Sequence, residues 1–313
     1  MFLFAFLLSA EADTVEDVSV PVPWVSGECI DERFPKVTGD WVVGCKGSGT
    51  VTRAWNLLGR FGVQFDPMGT HPALSEGVIV DFEGGMELDL NSESCALPVA
   101  SSCTATEIQS FNTESLGPFD MNHGSVSVTV REGLYFFNYG SNQRELLAAK
   151  PASWYPPAVG SGWLAWTEPA LESGVERGVF WSRQTVTPVE IGDRAENVRH
   201  FTSSGEYLAW IEDSSVVIGL VVGGVLASEV RTPADAHTSI SLSLYGGVAC
   251  WESWGDGIDI ECSDGRVFGG AGDQRHPSHS DNWLVYRVDG VTMTTPFMVA
   301  SSVDQQEANE PLD

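Results

Sequence analysis

Short apolar runs separated by polar turns fill most of the chain, and their period is two rather than 3.6. Tyr207 to Ile211 is followed by a turn at Glu212-Asp213-Ser214, a return run from Val216 to Val221, a second turn at Gly223-Gly224 and a third run from Val225 to Val230. With a leading strand near His200 to Thr202, this stretch predicts four strands meandering in one sheet. The same plan fits Trp163–Thr167, Gly178–Ser182 and Thr185–Ile191. It fits again at Val248–Trp251 and Ile258–Glu261, with Asp264-Gly265 and later Asp289-Gly290 as turns. Such dipeptides supply the positive φ angles that two-residue hairpins need. No segment sustains a helical apolar period; Arg144 to Lys150 offers one helical turn at most.

The units are copies of one another. Aligned on the first large residue of the second strand, they begin at Trp41, Val78, Val126, Trp163, Tyr207, Val248 and Trp283. The spacing averages about 40 residues, the length of one four-stranded propeller blade. Each such sheet has two apolar faces that it cannot bury alone, and stacking the units into a ring buries both. The expected fold is therefore all-β, a single propeller of four-stranded antiparallel blades. Seven blades are counted, or six if the second and third units are one irregular blade with an insertion. Trp41, Trp163, Tyr207 and Trp283 are expected to pack between neighbouring blades. The domain plan is a leader at 1–12, a propeller at 13–303 and an acidic, frayed tail at 304–313.

The phrases Arg275-His276-Pro277-Ser278-His279-Ser280-Asp281-Asn282-Trp283 and Arg199-His200-Phe201-Thr202-Ser203-Ser204-Gly205-Glu206-Tyr207 resemble the TolB-like (WD40-like) β-propeller repeat. In that repeat an inner strand begins with Pro, turns at a small polar or Gly pair and continues into an apolar or aromatic strand. The resemblance spans about residues 30 to 300, although most units here lack the Ser-Pro-Asp-Gly turn. It implies a fold more than a role, because its members range from envelope scaffolds to accessory domains of peptidases.

Charge narrows the partners. Forty-three acidic residues against 16 basic ones leave a net charge of -27. Phosphate backbones and anionic membrane surfaces are bound through Lys and Arg, so neither nucleic acid nor such a surface is an expected partner. No stretch after the leader approaches the roughly 18 to 20 apolar residues of a membrane helix, so membrane insertion is not expected either. The acidic residues are dispersed, which suits a hydrated surface, and an acidic face selecting cations or basic partners is the other reading. Phe2 to Leu8 is an apolar run, and Ala10-Glu11-Ala12 fits a small-x-small cleavage site. Together they predict a short export signal and a secreted or periplasmic protein, with a buried N-terminal strand as the alternative. Six cysteines agree with export. Their spacing predicts three local disulfides: Cys29 with Cys45, Cys95 with Cys103, and Cys250 with Cys262, the last two cysteines flanking a hairpin at equal distance from Asp256. The stretch Asn91 to Thr106 reads as a disulfide-tied loop.

Candidate chemistry sits at one repeat position. Seven residues before the anchors stand Phe34, His71, His200 and His276, and His237 precedes a longer first hairpin. Arg33, Arg199 and Arg275 each lie one residue earlier. In a propeller this position rings one mouth of the channel. One reading is a ligand site for an anionic or sugar-like molecule, or a metal, built from Arg33, His71, Arg199, His200, His237, Arg275 and His276. The other is packing between blades, with each Arg paired to a nearby acid (Asp31, Glu196 or Asp273), since duplication copies residues without selecting a site. His279 is expected on the face opposite His276. Glu168, Glu212 and Glu252 follow their anchors at similar offsets and read as exposed, turn-proximal charge. The sequence carries no Gly-x-Ser-x-Gly elbow, His-Glu-x-x-His or phosphate loop, and no cofactor is expected. The function expected is a monomeric binding or scaffolding module for a protein or cell-envelope glycan. The alternative is a secreted carbohydrate-active hydrolase or lyase with its site in the funnel.

Overall fold

A computed structural model describes residues 20–22, 35–46, 51–59, 61–65, 73–75, 77–81, 86–91, 106–107, 119–122, 125–130, 133–138, 144–148, 157–169, 176–192, 197–213, 215–234 and 241–298. Among these the secondary structure is entirely β. The first described strand is β1 (Val20–Pro21). The first sheet follows with β2 (Lys36–Thr38), β3 (Trp41–Lys46), β4 (Val51–Asn56) and β5 (Phe61–Phe65). The second has β6 (Ala73–Ser75), β7 (Val78–Asp81), β8 (Met86–Asp89) and β9 (Thr106–Glu107). The third has β10 (Phe119–Asn122), β11 (Ser125–Val130), β12 (Gly133–Asn138) and β13 (Arg144–Ala148). The fourth runs β14 (Ala158–Gly160), β15 (Trp163–Pro169), β16 (Glu176–Ser182) and β17 (Val189–Ile191). The fifth runs β18 (Arg199–Ser204), β19 (Tyr207–Glu212), β20 (Ser215–Val222) and β21 (Val225–Pro233). The sixth has β22 (Leu242–Tyr245), β23 (Val248–Trp254), β24 (Ile258–Cys262) and β25 (Val267–Phe268). In the last, β26 (Gln274–His279), β27 (Trp283–Val288) and β28 (Val291–Pro296) are joined by β1 as the fourth strand. All the pairings are antiparallel.

Six of the seven repeat anchors open the second strand of their sheet, and Val126 lies one residue inside β11. The alternation of a strand then sends the anchor and the residue three further on to opposite faces. Trp163 shares a buried cluster with Phe201, Leu208 and Trp210 of the following sheet. Trp166, three residues on, is buried with Leu134 and Phe136 of the preceding one. Trp251 joins Ala209 and Ile211 of the fifth sheet, and Tyr286 joins Ile260 and Phe268 of the sixth. The fourth, fifth and seventh sheets thus present one large aromatic forward and one backward: Trp163 and Trp166, Tyr207 and Trp210, Trp283 and Tyr286. That is how a small twisted sheet, marginal alone, gains a core on both faces.

The last sheet meets the first by the same rule. Trp283 packs against a cluster holding Val37, Val42 and Val285. Its indole N–H donates to Asp40 Oδ1 at 3.0 Å. The Val37 N–H donates to Ser278 Oγ at 2.9 Å, and Ser280 Oγ donates to the Gly39 carbonyl at 3.1 Å. The fourth strand of this sheet comes from the opposite end of the chain: Val20 lies opposite Thr294 and Pro21 opposite Met293. The Val22 N–H extends the ladder to the Thr292 carbonyl at 2.8 Å.

Two local expectations are corrected. Arg144–Ala148 is a strand rather than a helical turn, because its pairing with β12 satisfies the backbone that a lone turn would leave open. The run Thr185–Ile191 narrows to Val189–Ile191. Ser182 and Thr185 bond each other's side chains and backbone, Val186 sits at φ 60°, and the chain turns where alternation alone would extend it.

Cys250 and Cys262 are cross-strand partners and are bonded as a disulfide. Asp256 lies at the turn they flank. The pairs Cys29–Cys45 and Cys95–Cys103 involve side chains outside the described residues; the 1–12 leader, residues 92–105 of the expected Asn91–Thr106 loop, and the 304–313 tail lie outside them too. Replacing both Cys250 and Cys262 by Ala is expected to lower the unfolding free energy by about 2–4 kcal/mol, since the bridge closes a short loop in the unfolded chain. A urea titration in which the double variant matches the parent would show that the bridge constrains nothing.

Candidate functional site

The repeat position that carries the histidines is a backbone feature first. In β18 the register with β19 slips between Arg199 and Thr202, and in β26 the register with β27 slips between Arg275 and Ser278. Inside each bulge a histidine takes the left-handed conformation, His200 at φ 54° and His276 at φ 55°. Such angles are uncommon for a residue with a side chain, though His tolerates them better than a β-branched residue. Each costs on the order of 1–2 kcal/mol, and the same strain recurs at equivalent positions of the fifth and seventh sheets. Nothing in the residue pattern signals it.

The two copies have different surroundings. His200 is 8% exposed. Burial, reinforced by the neighbouring Arg199 guanidinium, pushes its imidazole down to about 4, so it is neutral at pH 7. Arg199 itself lies 3.8 Å from Asp213, at the far end of β19. His276 is half-buried. Its backbone N–H donates to Glu252 Oε1 of the sixth sheet at 2.8 Å, and its Nδ1 lies 3.9 Å from the same oxygen. Arg275 pairs with Asp273 at 3.1 Å and lies over the Trp254 ring, 5.8 Å from its centroid. Arg275, His276, Glu252 and Trp254 are thus brought together across the boundary between the sixth and seventh sheets. Arg199 and His200 stand apart from them, on the first strand of the fifth sheet with the sixth sheet between. Arg33, His71 and His237 lie outside the described residues.

The bulge also corrects the placement of His279. With one extra residue in the strand, simple alternation fails, and His279 turns toward the sixth sheet just as His276 does. Its Nε2–H donates to the Val248 carbonyl at 3.0 Å. Its Nδ1 accepts from Ser243 Oγ at 2.8 Å, while that hydroxyl accepts the His279 backbone N–H at 3.0 Å. In this neutral tautomer one ring nitrogen donates and the other accepts, and the Ser243 hydroxyl both donates and accepts. Burial beside Phe297 and Tyr245 outweighs the carbonyl's pull and holds the imidazole down to about 4.

Nor are the carboxylates exposed, turn-proximal charges. Glu212 is 2% and Glu252 3% exposed. Glu212 accepts the Trp210 indole N–H at 2.9 Å and Arg231 Nη1 at 2.5 Å. Glu168 repeats the device with Trp166 at 2.9 Å and Arg177 at 2.8 Å. The signal was in the sequence: Ala-Trp-Thr-Glu and Ala-Trp-Ile-Glu put an indole and a carboxylate two residues apart, hence on the same side of a strand. In the sixth sheet the Glu follows Trp251 directly and so faces the other way, to His276. The Trp251 indole nitrogen is left buried without a hydrogen-bond partner. Among the described residues no three His, Cys, Asp or Glu side chains are grouped to hold a metal ion.

No protein-family profile matches the chain, and no curated protein matches it. Solved structures do. The β-propeller domain of Cps50 (Swd1) from Myceliophteria thermophila aligns with a TM-score of 0.55 at 11% identity, covering 90% of this chain and 100% of that one. The fold is a β-propeller. The β-propeller domain of the Trilobed protease from Pyrococcus furiosus agrees, with a TM-score of 0.56 at 10% identity over 87% of this chain and 95% of its own. So does a chain in the structure of the mitotic checkpoint complex, with a TM-score of 0.54 at 12% identity over 96% of this chain and 100% of that one. At these identities the propeller architecture is what is shared. No described helix is long and apolar enough to cross a membrane.

Proposed function

We propose that this propeller is an exported binding or scaffolding module for a protein or cell-envelope glycan, with its seven sheets closed as blades into one ring. The ring reading is supported by the contact of the last sheet with the first and by the N-terminal strand that completes the last blade. Export is supported by the apolar leader and by the disulfide in the sixth sheet, since such bridges persist in oxidising compartments. The resemblance of two strand–turn phrases to the TolB-like repeat agrees with an envelope role.

One observation carries the binding reading. At the ends of the second strands, Glu168, Glu212 and Glu252 are already committed to indole, guanidinium or backbone N–H donors of the framework. Outward at the same end of the sixth sheet stands Trp254, 43% exposed, with the Arg275 guanidinium beside it and its side chain 45% exposed. Trp and Arg are the side chains that most often anchor interfaces, and an exposed indole face equally suits a sugar ring. Immobilised full-length protein should retain a partner from envelope extracts, or a glycan from an array. The double change Trp254→Ala and Arg275→Ala should weaken that binding at least tenfold (about 1.4 kcal/mol or more). Turnover of a polysaccharide that is abolished by one carboxylate substitution would overturn the reading.

A further inference from the structure

The outermost strand of the fifth sheet differs from the other outer strands. β21 runs nine residues, Val225–Pro233, whereas the outer strands of the neighbouring sheets, β17 and β25, span three and two. Among the described residues only β20 pairs with it, and no described strand lies along its second edge. Val225 is 50% and Val230 63% exposed. An open edge of this length is a template for a further strand.

Register decides what that strand can be. Val222 and Val225 flank the two-residue Gly223-Gly224 turn, so they form a hydrogen-bonded pair. Hydrogen-bonded and non-hydrogen-bonded pairs then alternate, and Ile218 and Leu220 spend their N–H and C=O groups on Val230 and Ser228. The backbone groups of Glu229 and Arg231 therefore point outward. In an antiparallel pairing of two β21 strands about a twofold axis at Val230, Glu229 of one copy stands opposite Arg231 of the other, twice over. These are the residues whose outward groups can form the two reciprocal hydrogen-bonded pairs. Val230 meets its own copy in the closer, non-hydrogen-bonded pair, and Ser228 meets Thr232. The pattern is self-complementary in charge, in hydrogen bonding and in apolar contact, as an isologous interface requires. Within one chain Arg231 already spans Glu212 and Glu229, at 2.5 and 3.1 Å. That holds the Glu229 and Arg231 side chains on one face of the strand. Pro233 ends the seam where an N–H would otherwise be needed.

We propose that a second copy of this chain pairs edge to edge with β21, giving a twofold dimer in place of the monomer expected from the sequence. Because each chain carries a net charge of -27, the dimer should tighten as salt rises and screens the repulsion.

Light scattering and sedimentation across protein concentration and ionic strength test the proposal. The expected mass approaches twice the 33.8 kDa of the chain, more completely at higher salt. Val230→Glu sets two carboxylates on the axis, and Glu229→Pro removes an outward N–H that the monomer does not use; both should be monomeric with an unchanged circular dichroism spectrum. Under mild oxidation Val230→Cys should give a covalent dimer, and Val225→Cys, which lies off the axis, should not. A wild-type chain that stays monomeric at every salt, with Val230→Cys cross-linking no faster than Val225→Cys, would overturn the proposal. So would a dimer that survives Val230→Glu.

Discussion

Acidification from pH 7 to pH 4 is expected to cost the fold about 3 kcal/mol for each of two histidines, His279 and His200. Both have an ordinary value of 6.5 that burial lowers to about 4 in the folded chain. Above pH 6.5 the imidazoles are neutral whether the chain is folded or not, and they add no pH dependence. Between about 6.5 and 4 the unfolded chain takes up two protons that the folded chain refuses, so the unfolding free energy falls steadily as pH drops. Below about 4 both states are protonated and the loss is complete. For His279 the geometry explains the refusal. Protonation would turn Nδ1 into a donor facing the Ser243 hydroxyl, which would then have to abandon its role as donor inside a buried site. Urea titrations at a series of pH values read the slope directly. His279→Gln, whose amide carries both a donor and an acceptor, should remove about half of it. A parent and a variant with equal slopes over this window would show that His279 ionises freely.

Replacing Trp210 by Ala should destabilise the chain by about 4–5 kcal/mol, the upper range for emptying a large buried site. The indole is fully buried, its ring centroid lies 6.1 Å from that of Phe201, and it shares its cluster with Trp163 of the preceding sheet. Its loss also leaves the buried Glu212 carboxylate with one donor fewer. Trp210→Phe separates the two effects. Much of the volume stays, the N–H goes, and the expected cost is about 2 kcal/mol, the scale of a hydrogen bond to a buried charged acceptor. Trp251 provides the internal control, because it holds the equivalent position but its indole nitrogen has no partner. Trp251→Phe deletes an unpaired buried donor and should cost less than Trp210→Phe by about 1 kcal/mol or more. Equal losses at the two positions would remove the carboxylate from the argument.

Much of the architecture was legible because hairpins are written locally. Gly223-Gly224 and Asp289-Gly290 announce turns, and the large residue that follows each first hairpin opens the second strand. What pairs at long range was not legible. Val20 and Pro21 carry no mark of belonging beside Thr294 and Met293, since a two-residue edge strand has no periodicity of its own. The site was legible only as a position. The sequence aligned His200 with His276, but the bulge that turns both backbones left-handed also shifts the strand by one residue, and no pattern of apolar and polar residues reveals that. The Trp-x-Glu spacing was visible and was read as surface charge, because acidic residues are usually exposed. The nearby indole and the Arg two strands away offset the cost of burying Glu212.

Closure of the seven sheets into one ring is the claim on which the rest depends, and a cross-link between the two ends of the chain tests it most directly. Val20→Cys with Thr294→Cys places thiols on strand partners that a ring brings side by side and an open stack would hold far apart. Mass spectrometry of the oxidised monomer should find the two positions joined within one chain. The bridge should raise the unfolding free energy by about 3–5 kcal/mol, because it closes nearly the whole chain into a loop. Thiols that stay free under conditions in which Cys250 and Cys262 are fully bridged would contradict the ring.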